Sequence, residues 1–167
     1  MTQQTELPNA KLQSLLDAAG VLYEILVHGA TFHRAEDGAA NLGVDLAQMA
    51  PTFILRTERG PLAVTISGAT RLSYKKIKKA LGLKNVSLAP ADEVVALTGA
   101  EPGTVALVNP GLPTLVDVRL LEQPNAYGGC GIHAHTLKMR PADVVTVTHA
   151  QVFDIAEDKT TNDKQPV

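Results

Sequence analysis

Hydrophobic residues follow a helical period in some segments of the chain and a strand period in others. In residues 9–19, apolar side chains recur at i, i+3, i+4 and i+7 before a glycine, which predicts a helix. The runs TFILRT at 52–57 and LAVTIS at 62–67 flank a Gly-Pro turn, which predicts a β-hairpin. Ser73 then begins a helix that Gly82 ends, because serine caps helix N-termini and glycine favours the left-handed residue after the last turn.

The remaining short apolar runs give the other predicted elements. Strands are predicted at 23–27, 85–89, 104–108, 114–118, 133–139 and 151–155, and helices at 34–42, 45–50, 90–98 and from Pro141. Because strands and helices interleave irregularly and include a hairpin, we predict one mixed α/β (α+β) domain. The 167 residues fit a single domain over 9–156, between an N-terminal segment 1–8 and a C-terminal tail 157–167 that we expect to be flexible.

Composition excludes several classes of protein. With 45% hydrophobic and 19% charged residues, the chain has an ordinary globular composition, which excludes wholesale disorder and collagen-like or coiled-coil structure. No apolar run approaches the roughly 18 residues of a membrane helix, so we expect no membrane partner. The first ten residues lack an apolar signal core, so we expect a cytoplasmic protein. Because Cys130 is the one cysteine, an internal disulfide is excluded, and so is a zinc site built from thiolates alone.

Positive charge is concentrated in residues 71–85, although the net charge of the chain is −2. This segment holds six of the 15 basic residues and no acid, and on its predicted helix four lysines lie opposite the apolar stripe: Lys75, Lys76, Lys78 and Lys79. An anionic partner such as a phosphate backbone would relieve their mutual repulsion, and a solvated helix face is the alternative. Since no aromatic residues are interleaved for base stacking, such binding would recognise the backbone and not the bases.

A segment rich in glycine and histidine spans 128–135. Its glycines let a ligand approach the backbone closely. His133 and His135, two apart on a predicted strand, would share a face and could bind a metal, with a third ligand from a carboxylate or from His28, His33 or His149. No metal-binding spacing is present, so we favour structural histidines and predict neither a metal nor a cofactor. Cys130 as a nucleophile would require one of these histidines as its base, which is a weaker alternative.

Gly103 and Thr104 follow a proline between a predicted helix and a predicted strand. A Pro-Gly pair is typical of a turn, and the N–H groups of such a turn could donate to a carbonyl or carboxylate oxygen, as in an oxyanion site. The chain contains no Walker sequence, no G-x-S-x-G and no dinucleotide fingerprint, so we set those classes aside.

Taken in order, these segments resemble the YbaK-type aminoacyl-tRNA editing family, whose domain also occurs inside bacterial prolyl-tRNA synthetases. The resemblance covers about 20–156. It depends on the order in which eight segments follow one another along the chain. These segments are a strand ending at His28, AEDGAANLGV (35–44), FILRTERGPLAVTI (53–66), RLSYKKIKKALGLKNVSLAP (71–90), TGAEPGTV (98–105), LPTLVDVRLLE (112–122), GGCG (128–131) and RPADVVTVT (140–148). It implies a compact mixed α/β domain with a barrel-like sheet flanked by helices. It also implies hydrolysis of the ester between a wrong amino acid and the 3′ end of a tRNA. The expected partners are then tRNA, with the four lysines contacting its phosphates, and an aminoacyl-tRNA synthetase.

The resemblance places the pocket at the two glycine regions, and it marks two departures. Gly103 and Thr104 align with the pocket-lining loop of the family, and Gly129 and Gly131 lie near its second glycine region. Where the family has a lysine central to deacylation, this chain has Ala50-Pro51-Thr52, and proline offers neither a side-chain donor nor an N–H group. The family's Gly-x-x-x-Pro loop ends here in Leu107.

Other residues must therefore supply the chemistry of a deacylase. The candidate catalytic residues are His133, His135 and Thr104, and the candidate substrate-binding residues are Gly103, Thr52, Arg56, Gly129 and Gly131. In this hypothesis a histidine transfers protons, Gly103 and Thr104 bind the carbonyl, and Arg56 offers a replacement positive charge. The alternatives are an inactive module that binds tRNA or an aminoacyl-like ligand, and a small-molecule hydrolase or binder without a nucleic-acid partner.

Overall fold

The computed structural model describes residues 10–29, 32, 34–109 and 111–159, which form five helices and ten strands. The helices are Ala10–Ala19 (α1), Ala35–Leu42 (α2), Tyr74–Leu81 (α3), Ala91–Thr98 (α4) and Pro141–Thr148 (α5), with short 3-10 helices at Leu46–Gln48 and Val118–Glu122. The strands are Tyr23–Val27 (β1), Thr52–Thr57 (β2), Gly60–Thr65 (β3), Thr70–Leu72 (β4), Val86–Leu88 (β5), Thr114–Asp117 (β6), Ala126–Gly129 (β7), His135–Met139 (β8), Gln151–Phe153 (β9) and Ala156–Asp158 (β10). In this part of the chain, no helix has the length and apolar character needed to cross a bilayer.

The strands are arranged in three sheets. The largest has the order β5-β2-β3-β6-β9, in which β2 runs antiparallel to β3 and β5, whereas β6 runs parallel to β3 and β9. An antiparallel sheet has the order β1-β8-β7, and β4 pairs with β10. The predicted mixed α/β domain is confirmed, and its described strands divide among three sheets without closing into one barrel.

Helix α3 has the ends that its sequence predicts. The Ser73 side chain accepts a hydrogen bond from the Lys76 N–H at 3.2 Å, and Gly82 follows the last turn with a φ of 66°. The Arg59 guanidinium adds hydrogen bonds to the carbonyls of Leu81 and Gly82, at 2.8 and 3.1 Å. A cation at this end of the helix also complements the helix dipole, so both ends of α3 are well satisfied.

The five-stranded sheet is covered by different helices on its two faces. Phe53 and Leu55 of β2 pack in one hydrophobic cluster with Ile77 of α3. Ile54, between them, packs in another cluster with Val94 of α4. Because successive side chains of a strand point to opposite faces, α3 and α4 lie on opposite sides of this sheet.

The sequence prediction is wrong at 104–108, where no strand forms. This segment makes one isolated bridge, from Ala106 to Gly129. It is apolar because it is enclosed by its surroundings: Val105 belongs to the same cluster as Val94, and Leu107 packs in the cluster that contains Cys130. An apolar run therefore marks burial here and not a strand.

Three short strands escape prediction, and one changes the expected domain boundary. Strands β4 and β10 have three residues each and β7 contains two glycines, so none has a recognisable alternating pattern. Strand β10 extends to Asp158, two residues into the segment 157–167 that we expected to be flexible, and Lys159 beyond it pairs with Glu36 of α2 at 3.0 Å. The rest of the tail, and the N-terminal segment 1–8, lie outside the described residues.

Candidate functional site

A pocket with a volume of about 70 Å³ lies where the start of β2 meets a loop and the segment leading into β8. Its walls come from residues 49–52, 103–105, 127–129 and 132–136, and residues 28, 32, 34 and 35 also line it. A water molecule needs roughly 10–15 Å³ on this scale, so the pocket holds about five water-sized groups. That is the size of a small organic group and not of a nucleotide.

The pocket brings together most of the predicted site residues. Thr52, Gly103, Thr104, Gly129, His133 and His135 all line it. Arg56 does not, because its guanidinium pairs with Glu93 of α4. Gly131 also stays outside the lining, and its N–H donates to the Thr104 carbonyl at 2.8 Å. Arg56 therefore offers no charge to the pocket, and Gly131 holds the loop of Gly103 and Thr104 in place.

Gly129 is a glycine because of the protein backbone beside it. A Cβ atom at this position would lie 2.1 Å from the Val105 carbonyl oxygen, far inside van der Waals contact. The neighbouring Gly128 is tight as well, since a Cβ there would lie 3.0 Å from the Leu107 side chain. These glycines allow the loop at 103–107 to pack directly on β7, which forms the pocket wall.

The expected donor role of Thr104 is wrong. Its N–H and its hydroxyl both donate to the Glu101 carbonyl, each at 2.9 Å, in a tight turn. The loop nevertheless keeps donors for a ligand, because within the described residues no protein acceptor is bonded to the N–H groups of Gly103 and Val105. Gly103 has a φ of 90°, which only glycine adopts without strain. Both residues line the pocket, so their N–H groups are candidate donors for a ligand, and Val105 is not among the site residues expected from the sequence.

The two histidines do not share a strand face as predicted. His133 lies in the turn before β8, and Ala134 beside it has a left-handed φ of 66°, so only His135 belongs to the strand. The His133 Nε2 atom lies 3.1 Å from a carboxylate oxygen of Glu101. The His135 Nδ1 atom lies 2.9 Å from the His133 carbonyl oxygen. Since a carbonyl only accepts hydrogen bonds, Nδ1 of His135 carries a proton, and Nε2 is the acceptor nitrogen of that tautomer.

The other histidines that the structure describes do not complete a metal site. His28 lines the pocket, but its Nε2 atom lies 2.9 Å from the Thr136 hydroxyl and its ring stacks on Phe32. His149 follows the last turn of α5, and His33 lies outside the described residues. Among residues 10–29, 32, 34–109 and 111–159, no three histidine, cysteine or acidic side chains are grouped to hold a metal ion.

Cys130 does not fit the nucleophile hypothesis. Its side chain is buried in a hydrophobic cluster with Leu107 and Leu137. Burial raises the pKa of its thiol to about 12, so the thiol stays protonated at neutral pH. Since the thiolate is the reactive form, Cys130 serves the core and not the chemistry.

Arg34 is a lining residue that the sequence analysis missed. It lies just before the first turn of α2, and its Nε atom is buried without a hydrogen-bond partner in the described structure. The sequence signal was its position, because a helix N-terminus favours Ser, Thr, Asp or Asn, and the helix dipole disfavours a cation there.

Comparison with known proteins identifies the family. A profile of the aminoacyl-tRNA editing domain matches residues 30–147, which is most of the chain. The chain belongs to the aminoacyl-tRNA editing domain family. The resemblance drawn from the order of its sequence segments is therefore confirmed.

Relatives of this editing domain include much longer prolyl-tRNA ligases. This chain is 39% identical over 83 residues to the proline–tRNA ligase of Syntrophotalea carbinolica, and the match covers 49% of this chain and 14% of that enzyme. It is 32% identical over 121 residues to the enzyme of Solidesulfovibrio magneticus, covering 70% of this chain and 21% of that enzyme. The editing domain thus spans less than a quarter of the length of these relatives.

Two solved structures share the fold of this editing domain over nearly their whole length. The hypothetical protein APE2540 superposes with a TM-score of 0.81 at 34% identity, over 88% of this chain and 99% of the other. A protein described as a candidate trans-editing enzyme for prolyl tRNA synthetase superposes with a TM-score of 0.78 at 26% identity, over 90% and 98% of the two chains.

The basic face of α3 lies away from the pocket of the editing domain. Thr52 lines the pocket and shares a sheet face with Ile54, whereas α3 packs on the face that carries Phe53. Within the described residues, three of its lysines have no ion pair: Lys75, Lys78 and Lys79.

Lys76 of α3 has a different role from the other three lysines. Its ammonium group donates to the Asp154 carboxylate at 2.9 Å and to the Ala156 carbonyl at 2.8 Å. It thereby ties α3 to the segment that leads into β10, so its charge is already compensated within the protein.

Proposed function

We propose that the chain hydrolyses the ester bond of mischarged aminoacyl-tRNA, acting as a deacylase in trans. The observation that carries this proposal is the pocket itself, whose lining includes His135 together with Gly103 and Val105, two residues whose N–H groups are bonded to no described protein acceptor. Donors for a developing oxyanion and a neutral base are the two requirements for hydrolysing an ester that is already activated.

The reaction would proceed by attack of water on the ester carbonyl carbon. His135 Nε2 takes a proton from the water as the oxygen–carbon bond forms, and the carbonyl oxygen becomes an oxyanion that accepts from the Gly103 and Val105 N–H groups. When the tetrahedral intermediate collapses, the bond to the ribose oxygen breaks. The imidazolium then returns its proton to that oxygen, which leaves a free amino acid and an uncharged tRNA.

The volume of the pocket favours small aminoacyl groups. A volume of about 70 Å³ suits an alanyl, seryl or cysteinyl group better than a large aromatic side chain. Its lining is mixed, because it includes the apolar Met49 and Ile132 as well as Thr52, whose hydroxyl is hydrogen-bonded to that of Thr65 at 2.7 Å. Pocket size is a weak filter among similar side chains, so we expect graded preferences and not absolute selection.

An assay with purified protein and alanyl-, seryl- and cysteinyl-tRNA of the proline type tests this proposal. We expect turnover of at least one substrate and a decrease in kcat of about 100-fold or more for His135→Asn, the range for removal of a general base. The matched control is His149→Asn, because His149 lies outside this pocket at a left-handed φ of 55° that asparagine tolerates. We expect a smaller loss for His133→Asn, since that ring is half-exposed and hydrogen-bonded to Glu101. Turnover that survives His135→Asn would contradict the assigned base.

One observation favours a second function, an inactive module that binds tRNA or an aminoacyl-like ligand. The described lining of the pocket contains no lysine, and it includes Ala50, Pro51 and Thr52, where the resemblance leads us to expect the lysine of the family. In this case the protein would bind tRNA with an affinity that falls steeply with salt, without turnover of any substrate. The same assay, combined with a binding titration, separates the two functions.

A further inference from the structure

Arg34 carries the one buried side-chain polar atom in the described structure that has no hydrogen-bond partner. The atom is Nε of its guanidinium, and the residue lines the pocket. The side chain as a whole is 41% exposed, so it lies at the rim with its Nε atom covered. Because Nε is covered, a ligand at the rim can meet only the exposed part of this side chain.

The charges around Arg34 leave its positive charge only partly compensated. The nearest carboxylate oxygen belongs to Glu36 and lies 3.6 Å from Nε, beyond hydrogen-bonding distance. That carboxylate instead accepts from Lys159 Nζ at 3.0 Å. Asp37 is exposed in the first turn of α2, and the described lining of the pocket contains three histidines and no acidic residue. Arg34 is the one arginine or lysine in the described lining, so it is the group there that could bind an anion.

We propose that Arg34 binds the phosphate that joins the last two nucleotides of the tRNA, which makes it a positioning residue for the ester. This inference rests on the proposed function, because it takes the aminoacyl group to occupy the pocket beside Gly103 and Val105. The terminal ribose then lies at the mouth of the pocket, and its 5′ phosphate lies one ribose away from the ester, at the rim. A guanidinium presents a planar fork of donors that matches two phosphate oxygens, which neither histidine nor lysine does.

A pair of small esters tests this role, one with the phosphate and one without it. The aminoacyl group preferred in the tRNA assay is attached to the 3′ oxygen of adenosine, or to that of the dinucleotide cytidylyl-adenosine. We expect Arg34→Gln to lower kcat/KM by about 10-fold or more for the dinucleotide ester, the loss for a charge-assisted pair, mainly through KM. For the adenosine ester we expect no change. Arg34→Lys should restore part of the loss, and Arg140→Gln, which alters an exposed arginine paired with Asp143, should keep the wild-type values for both esters.

Each other result overturns the assignment. Equal losses on both esters would mean that Arg34 acts on the carbonyl or maintains the pocket, and the absence of any loss would mean that it binds no phosphate. If the wild-type protein hydrolyses no ester, the proposed function fails, and the binding of cytidylyl-adenosine and of adenosine is measured instead. Weaker binding of the dinucleotide alone by Arg34→Gln would still support the phosphate interaction, and equal binding by both proteins would overturn it. Unchanged circular dichroism and melting temperature establish that the variant is folded.

Discussion

Gly129 shows how a single backbone contact determines a residue of the pocket. The sequence analysis assigned it to substrate binding, because glycines let ligands approach the backbone. It does line the pocket, but the group that approaches it most closely is the Val105 carbonyl of its own chain. The wall of the pocket therefore depends on the absence of a side chain at this position.

Gly129→Ala should destabilise the protein strongly, because the new Cβ atom would lie 2.1 Å from the Val105 oxygen and one of the two segments would have to move. We expect a loss of about 3 kcal/mol in the free energy of unfolding, at the upper end for overpacking. The control is Gly20→Ala, which has open space around it and a φ of 69°, so it should cost only about 1 kcal/mol of backbone strain. Urea unfolding of both variants measures the difference, and equal losses would contradict the packing argument.

Because the Cys130 thiol is buried, we expect the free energy of unfolding to depend on pH above neutrality. Burial raises the pKa of its thiol from 9.0 to about 12, so the unfolded chain loses this proton at a lower pH than the folded protein. The stabilising contribution is therefore complete below pH 9.0 and is lost as the pH rises toward 12. Across that window the free energy of unfolding should fall by about 1.4 kcal/mol per pH unit more in the wild-type protein than in Cys130→Ala. Parallel curves for the two proteins would show that the thiol is not desolvated.

At the scale of residues, the sequence predicted the lining of the pocket better than the roles of its members. Thr52, Gly103 and His135 all reach the pocket, because turn residues and strand ends gather at the edges of sheets. The Thr104 N–H donates within its own turn, so the proposed donor is Val105 instead, since hydrogen bonds within a turn depend on backbone dihedral angles that the sequence does not reveal. Arg34 was missed because a helix pattern shows which residues are helical and not what lies across from the N-terminus of the helix.

Among the elements, those with a capping or turn signal were predicted well. Strand β1 matches its predicted limits, α3 ends at the predicted glycine, and α5 begins at the predicted proline. The failure at 104–108 has a physical cause, because this segment is buried between β7 and α4 without pairing along a strand. Burial on several sides produces the same continuous apolar run as a buried strand, so periodicity alone does not separate the two cases.

The position of helix α3 predicts that substitutions of its lysines change the affinity for tRNA without changing the rate of ester hydrolysis. Changing Lys75, Lys78 and Lys79 together to glutamine should raise KM for whole aminoacyl-tRNA. It should also make binding less dependent on salt: the slope of the logarithm of the binding constant against the logarithm of the salt concentration should become shallower by roughly 0.7–0.9 for each phosphate that the variant no longer neutralises. The kcat for tRNA and the hydrolysis of the adenosine ester should be unchanged, because these lysines lie across the sheet from the pocket. The matched control, Lys76→Gln, should lower the melting temperature and leave the salt slope unchanged, because this lysine is paired with Asp154. An unchanged slope in the triple variant would contradict a role for this face in binding tRNA.

For the molecule as a whole, the pocket lies between two sheets that are joined by backbone hydrogen bonds. The Ala50 N–H donates to the Tyr127 carbonyl at 2.8 Å and the Leu107 N–H to the Gly129 carbonyl at 2.9 Å. These bonds connect the start of β2 and the pocket loop to β7, although β2 and β7 belong to different sheets. The pocket is therefore part of the framework that holds the two sheets together.

Hydrogen exchange should show this shared framework directly. We expect the amides of Ala50, Leu107 and Gly131 to exchange as slowly as those in the centre of β2 and β3, because opening any of these bonds separates the pocket walls. Adding a non-hydrolysable aminoacyl-adenosine analogue should change their rates little. Fast exchange that slows on binding would instead show that the pocket forms around its ligand.

The five-stranded sheet places the small pocket on one of its faces and the basic helix on the other. If the lysines of α3 hold the tRNA, this helix determines which tRNA is bound, and the pocket determines which amino acid is removed. These two surfaces share no side chain. Substitutions on one surface would then leave the other unaffected, so natural variants could exchange one specificity while keeping the other. Redesign of this one exposed helix could direct an editing enzyme to a different tRNA, while the residues of its pocket and the reaction they perform stay the same.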